Sequence, residues 1–208
     1  PAPDARDPAS LIDYSAAVAA RITELDQQHH FDVVEFQEWA GEGWAYHPRR
    51  DQLLAVRIQA PSFFVRRHEY AANTPAEGQV DEIERWPLER ADLVTAPSRY
   101  VTRIVADRWC IDVDPTVILP NGIDPLQFAQ ASRREPNAAP LVLSVNRLTP
   151  IKGPDVFVRA AAEVHRRFPD ARFRLVGRAG EIEGQPAEVW LRRLARELGL
   201  PADRLEIA

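Results

Sequence analysis

The sequence predicts an α/β chain built on parallel sheets, and three observations carry that expectation. Short apolar runs alternate with amphipathic stretches along the chain, the rhythm of strand-helix-strand crossovers. Residues 141–180 hold one complete β-loop-α-β unit. A Pro120-Asn121-Gly122-Ile123-Asp124 turn and a polar linker over residues 127–140 separate two such strand-helix stretches.

Residues 1–8 are polar and proline-rich and read as a loop. Leu11, Ile12, Ser15, Val18, Ile22 and Leu25 share one helical face that ends near His29-His30. Neighbouring residues of a helix point in different directions, so these two histidines do not read as a metal pair. Residues 31–36 form a strand, followed by the acidic loop 37–43. In that loop Gly41 and Gly43 supply turn geometry, and Glu38 and Glu42 read as solvated carboxylates in preference to an acid/base pair.

Residues 53–58 make the next strand, which runs into Gln59-Ala60-Pro61-Ser62. Arg66-Arg67 reads as a solvated turn rather than a contact for an acidic acceptor or anionic lipid. Residues 77–91 are expected to be helical, with Val80, Ile83, Trp86 and Leu88 inward and Pro87 kinking or ending the helix. A strand over 93–96 leads to Ser98, a good N-cap for a helix through Tyr100, Val101, Ile104, Val105 and Trp109. Cys110 reads as a small apolar filler on that helix. Asp112-Val113-Asp114 has a metal-like spacing but reads as turn chemistry, and residues 117–119 form the last strand of the first half.

Residues 141–145 are apolar enough for a strand buried on both faces. A polar loop with Arg147 and Lys152 follows, and Gly153-Pro154-Asp155 opens a helix whose apolar positions are Val156, Val158, Ala160, Ala161, Val164 and Phe168. Proline loses no hydrogen bond in a first turn, and aspartate complements the positive helix end. Pro169-Asp170 stops this helix and residues 173–177 form a second strand. Residues 186–198 make an amphipathic helix on Val189, Leu191, Leu194 and Leu198, stopped by Gly199, and residues 204–208 begin another strand.

A helix N-terminus with two cations in the preceding loop is a natural anion site, where Arg147 can fork onto phosphate oxygens and Lys152 can add a point charge. The alternative is that both cations serve solubility. Of the 26 Lys and Arg residues, Lys152 is the only lysine, which tilts the balance toward a specific role.

A net charge of −5 argues against nucleic-acid binding through bulk charge, while a local basic pocket stays open. The single cysteine excludes an internal disulfide and fits a reducing, cytoplasmic compartment. No apolar stretch approaches a membrane span and no signal-peptide pattern opens the sequence, while peripheral membrane contact stays open. Methionine is absent, so Pro1 reads as an internal point of a longer chain.

Together, Arg147…Lys152-Gly153 after a strand, Pro120-Asn121-Gly122-Ile123-Asp124 upstream, Leu175-Val176-Gly177 downstream and Ala91-Asp92-Leu93-Val94-Thr95-Ala96-Pro97-Ser98 earlier resemble the retaining glycosyltransferases of family 4. The resemblance implies the GT-B architecture of two Rossmann-like domains with parallel sheets, both incomplete here. Residues 1–120 would belong to the N-terminal, acceptor-side domain, 121–139 to the linker, and 140–208 to the C-terminal, nucleotide-sugar-binding domain. It further implies transfer of a hexosyl-type sugar from a nucleotide-diphosphate sugar to an acceptor hydroxyl, with retention of configuration. The acceptor would be a carbohydrate, lipid or small molecule, and neither a cofactor nor a metal is expected.

By the same resemblance Arg147 and Lys152 are the catalytic residues, and Gln59, Asn146, Gly153 and Gly177 bind substrate. Gln59 stands where family members commonly carry histidine, and Asn146 where they usually carry glycine. The family's opening glycine-rich loop and its glutamate pair spaced eight apart are expected outside this chain, so the chain alone is expected to be inactive. Two alternatives share the architecture. One is a non-catalytic nucleotide-sugar-binding or scaffolding relative, and the other is a different GT-B enzyme such as a sugar-nucleotide epimerase.

Overall fold

The computed structural model of the chain describes residues 3–4, 6–69, 76–112, 116–128 and 139–208. They form two compact units, with the main changeover between Ile123 and Asp124. Each unit has its own parallel sheet and its own core, as the α/β expectation requires.

The first unit opens with helix α1 (Pro8–His29), whose first turn is capped by the Asp7 carboxylate accepting from the Ala9 N–H. Strands β1 (Val33–Gln37), β2 (Leu53–Arg57), β3 (Leu93–Ala96) and β4 (Val117–Ile118) lie side by side in that order, all parallel. Helices α2 (Ser62–Glu69), α3 (Glu77–Arg90) and α4 (Arg99–Trp109) occupy the crossovers. Residues of one pleat face, Val34, Phe36, Leu54, Val56 and Ala96, pack with Leu88, Val101, Val105 and Trp109. Side chains alternate across a pleated sheet, so Val33, Leu53, Leu93 and Val117 share the opposite face, and all four are exposed.

Three local expectations need correction here. Arg66 lies on a helix, not on a solvated turn, because its guanidinium is drawn 2.7 Å from the buried Asp81 carboxylate. Trp86 points outward with the Arg90 guanidinium 5.5 Å from its ring, since Val80, Ile83, Pro87 and Leu88 fill the inner face of α3. Of the two outcomes expected at Pro87, the helix does not end there but runs on to Arg90; the carbonyl Pro87 deprives of a partner is that of Ile83, and the Gly41 backbone packs against it. Cys110 is exposed and caps α4 with φ 54°, so it is a turn residue rather than filler. Ser98 caps α4 as expected, accepting from the Val101 N–H.

In the second unit β5 (Leu141–Val145), β6 (Arg172–Val176) and, after a small hairpin of β7 (Glu181–Ile182) and β8 (Gln185–Pro186), β9 (Leu205–Ile207) are assembled. The parallel order is β5-β6-β9. Helices α5 (Pro154–Arg167) and α6 (Ala187–Glu197) supply Val158, Ala161, Leu191 and Leu194 to a core completed by Phe173, Leu175 and Leu205.

β5 is not buried on both faces. It is an end strand paired only with β6 among the described residues, and Val142, Leu143 and Val145 are all exposed. Val156 and Phe168 also stand outside, because the inward stripe of α5 runs through Val158, Ala161 and Ala162. Val189 is exposed for the same reason on α6. The β7–β8 hairpin was not expected from the sequence. Its two-residue turn has positive φ at both Glu183 and Gly184, the turn that suits hairpin twist.

Asp114 of the acidic pair and residues 129–138 of the expected linker lie outside the described residues. Among the described residues no helix is long and apolar enough to cross a membrane.

Candidate functional site

Every sequence-predicted contact residue except Lys152 and Gly153 sits just past the carboxyl end of a parallel strand, and those two end the loop that leaves β5. Ligands of open α/β sheets bind at that edge. Gln59 follows β2, Asn146 and Arg147 follow β5, and Gly177 follows β6.

In the second unit the loops after β5 and β6 run together. The Asn146 N–H donates to the Val176 carbonyl at 3.0 Å and the Leu148 N–H donates to the Arg178 carbonyl at 3.1 Å, which prolongs strand-like pairing past both strand ends. Leu148 is buried and anchors the loop in the core. Gly177 is what permits the approach: a Cβ there would lie 1.8 Å from the Asn146 carbonyl oxygen. Gly180 plays the same part beside Leu148, whose carbonyl oxygen a Cβ would meet at 2.6 Å. The structure thereby brings Asn146, Arg147 and Gly177 into one patch, with Gly177 acting as a spacer.

Lys152 ends a short 3₁₀ turn (Pro150–Lys152), closed by the Lys152 N–H donating to Thr149 and the Gly153 N–H donating to Pro150. Gly153 has φ 65°, a conformation glycine adopts without strain, and α5 begins directly behind it. No side chain caps the first turn of α5. Arg147 and Lys152 are exposed, and neither forms an ion pair with a described residue. Two unpaired cations and an uncapped helix end therefore share one loop.

In the first unit the corresponding edge is built more tightly. Glu38, expected to be solvated, is fully buried. Its two carboxylate oxygens accept from the Gln59 N–H at 2.6 Å and the Ala60 N–H at 2.7 Å. Burial pushes its carboxyl up to about 7, the nearby Glu84 adds to this, and the two amide donors pull the other way. Glu84, also fully buried, accepts from the Ala40 N–H at 3.0 Å and the Ser62 N–H at 2.9 Å. It also accepts from the Ser62 hydroxyl at 2.5 Å, and burial raises its pKa as well.

The other loop carboxylate, Glu42, accepts from the Tyr14 hydroxyl at 2.8 Å and so ties the loop to α1. This hydrogen bond is the first cause of a raised Tyr14 pKa. Gly41 has φ 59° and packs on Ile83, whereas Gly43 has no positive φ and lies close to the Phe36 ring, which a Cβ there would meet at 3.0 Å.

Sequence reasoning missed Arg57 and Glu84. The Arg57 guanidinium, at the end of β2, donates to the Leu119 carbonyl at 2.8 Å and to Asn121 Oδ1 at 2.9 Å. It thus fixes the turn after β4. A signal for Glu84 existed: it falls four residues after Val80, on the same helical stripe.

The comparisons with known proteins agree with this frame. Residues 4–126 match the family described as Glycosyltransferase Family 4, and residues 127–204 match Glycosyl transferases group 1. The chain is 32% identical over 234 residues to a D-inositol 3-phosphate glycosyltransferase of Acidothermus cellulolyticus, covering 99% of this chain and 50% of that one. It is 36% identical over 210 residues to a GDP-mannose-dependent alpha-(1-6)-phosphatidylinositol monomannoside mannosyltransferase of Mycolicibacterium smegmatis, covering 94% and 50%. The chain thus spans about half the length of these curated relatives.

Among solved structures, a glycosyltransferase from Rickettsia africae superposes with a TM-score of 0.58 at 18% identity, over 100% of this chain and 53% of that one. The E. coli trehalose-6-phosphate structure bound with UDP-2-fluoro glucose gives a TM-score of 0.59 at 15% identity, over 95% and 51%. At such identities the likeness is one of fold, and that fold is GT-B. With more than half of its residues inside the first match and its parallel sheets of the GT-B type, the chain belongs to the family 4 glycosyltransferases.

Proposed function

We propose that the protein transfers a hexosyl-type sugar from a nucleotide-diphosphate sugar to an acceptor hydroxyl, with retention of configuration, in the cytoplasm. Residues 1–120 serve the acceptor side, 121–139 the linker and 140–208 the nucleotide-sugar side. The observation that carries this reading is the loop between β5 and α5, where unpaired Arg147 and Lys152 precede an uncapped helix N-terminus. As the bond from the sugar to the diphosphate breaks, negative charge grows on the departing phosphate oxygens. Arg147 can meet two of them with its fork, and Lys152 can add a point charge that the helix end reinforces.

Asn146 and Gly177 line the same patch, and Gly153 lets the turn reach the helix without a side chain in the way. Gln59, at the carboxyl edge of the first sheet, meets a sugar hydroxyl and recognises it without titrating. The names of two relatives, which print inositol phosphate and a phosphatidylinositol mannoside, support a polyol-bearing small-molecule or lipid acceptor.

Titration calorimetry with UDP and GDP tests the phosphate site. One of them is expected to bind, and Lys152→Ala is expected to weaken it about tenfold or more. Equal affinity of the two proteins, or no binding by the unsubstituted one, would remove the basis of the proposal.

A further inference from the structure

The first unit contains two buried carboxylates that the phosphate site does not use. Both Glu38 and Glu84 are fully buried, and among the described residues neither forms an ion pair. Arg66 acts electrostatically on Glu84, but it is itself committed to Asp81 at 2.7 Å. Burying charge without a paired cation is costly, and apolar side chains of like size would serve stability better. What the two groups share is their partners. Four main-chain N–H groups, of Ala40, Gln59, Ala60 and Ser62, and the Ser62 hydroxyl converge on four carboxylate oxygens.

The bracing crosses between two loops. Glu38 belongs to the turn after β1 and holds the loop after β2. Glu84, from α3, holds both: Ala40 of the first loop and Ser62 at the start of the helix that ends the second. Ala40 has φ 61°, an uncommon conformation for a residue with a side chain, and the Glu84 oxygen sits on its N–H. A carboxylate is the one side chain that accepts twice and donates nothing. It therefore suits two consecutive amides that must point the same way, and the Gln59 and Ala60 amides are such a pair.

We infer that Glu38 and Glu84 are positioning residues which act through the main chain of residues 59–62 to fix where Gln59 meets a sugar hydroxyl at the carboxyl edge of the first sheet. This rests on the reading of Gln59 given under Proposed function. Neither carboxylate touches substrate. Glu38 sets the direction of the Gln59 backbone, and Glu84 locks the turn that carries Glu38 to the start of α2.

The test compares the protein with its Glu38→Gln and Gln59→Ala variants, and with Glu38→Ala where that variant folds. Two readouts are taken. The first is the amide proton shifts of Gln59 and Ala60 in a nitrogen-15 correlation spectrum. Glutamine offers one acceptor oxygen and turns an NH2 toward the second amide, so one of the two resonances is expected to move while the other stays.

The second readout is the affinity ratio between a nucleotide-sugar (UDP-glucose or GDP-mannose) and its parent nucleoside diphosphate. That ratio is expected to fall about five- to tenfold in both Glu38→Gln and Gln59→Ala, with the diphosphate affinity unchanged. If Gln59→Ala lowers the ratio and Glu38→Gln does not, the positioning role is wrong while the Gln59 reading stands. If Gln59→Ala leaves the ratio unchanged, the Gln59 reading fails and takes the inference with it, whatever the amide shifts show. Unmoved amide shifts in Glu38→Gln would also overturn the inference.

Discussion

Replacing Gly177 by alanine should open the patch that carries Asn146 and Arg147. The added Cβ would sit 1.8 Å from the Asn146 carbonyl oxygen and 2.6 Å from its carbon. Carbon–oxygen contacts normally begin near 3.3 Å, so the two loops must part by roughly 1.5 Å. Both atoms in the clash belong to main chain, and no rotamer change can relieve it. The hydrogen bonds from Asn146 to Val176 at 3.0 Å and from Leu148 to Arg178 at 3.1 Å cannot survive that separation. Each contributes about 1 kcal/mol, and the unpaired groups they leave raise the total to roughly 2–4 kcal/mol. Urea unfolding followed by far-ultraviolet circular dichroism reads the loss, and hydrogen exchange at the Asn146 and Leu148 amides locates it. Protection there should drop by roughly one and a half to three orders of magnitude. An alanine variant with unchanged unfolding and unchanged exchange would refute the spacer role of Gly177.

Two further outcomes follow from the same structure. Glu38 has a folded-state pKa of about 7 against an ordinary 4.5, so between those values the folded state holds more protons than the unfolded one. Stability should therefore fall as pH rises from about 4.5 to 7, by something on the order of 3 kcal/mol, with Glu84, also raised by burial, acting in the same direction. Glu38→Gln should flatten this slope in urea titrations run across the window, and an unchanged slope would contradict the assignment. Gly78, in the first turn of α3, has open space where a Cβ would go and no positive φ; Gly78→Ala should stabilise by about 0.4–1 kcal/mol, seen as a raised unfolding midpoint.

The parallel α/β class was readable because it depends on local pattern. Short apolar runs bounded by turn residues marked β1 to β6, and Ser98, Pro154 and Gly199 punctuated the helices as their chemistry requires. The loop between β5 and α5 was legible for a similar reason: Arg147, Lys152 and Gly153 lie close in sequence, and the strand-to-helix transition positions them.

The burial of the glutamates was harder to read. Glu38 looked like any acidic residue in a glycine-containing loop, and the two amides it holds, of Gln59 and Ala60, lie more than twenty positions away. Glu84 was hidden by the habit of assigning charges to the outer face of a helix. Nor could local hydrophobicity show that Val142, Leu143 and Val145 would be exposed, since exposure of a strand is set by what packs on it rather than by its own composition. Trp86 went wrong in the opposite direction: Pro87 and Leu88 took the inner face that an aromatic residue would ordinarily fill.

The proposal that Arg147, Lys152 and the start of α5 hold a diphosphate is tested most directly by a crystal structure of the protein with UDP or GDP bound. Phosphate oxygens are expected about 2.7–2.9 Å from the Arg147 guanidinium and the Lys152 ammonium, before the first amides of α5. A diphosphate bound elsewhere, with both cations turned to solvent, would contradict it.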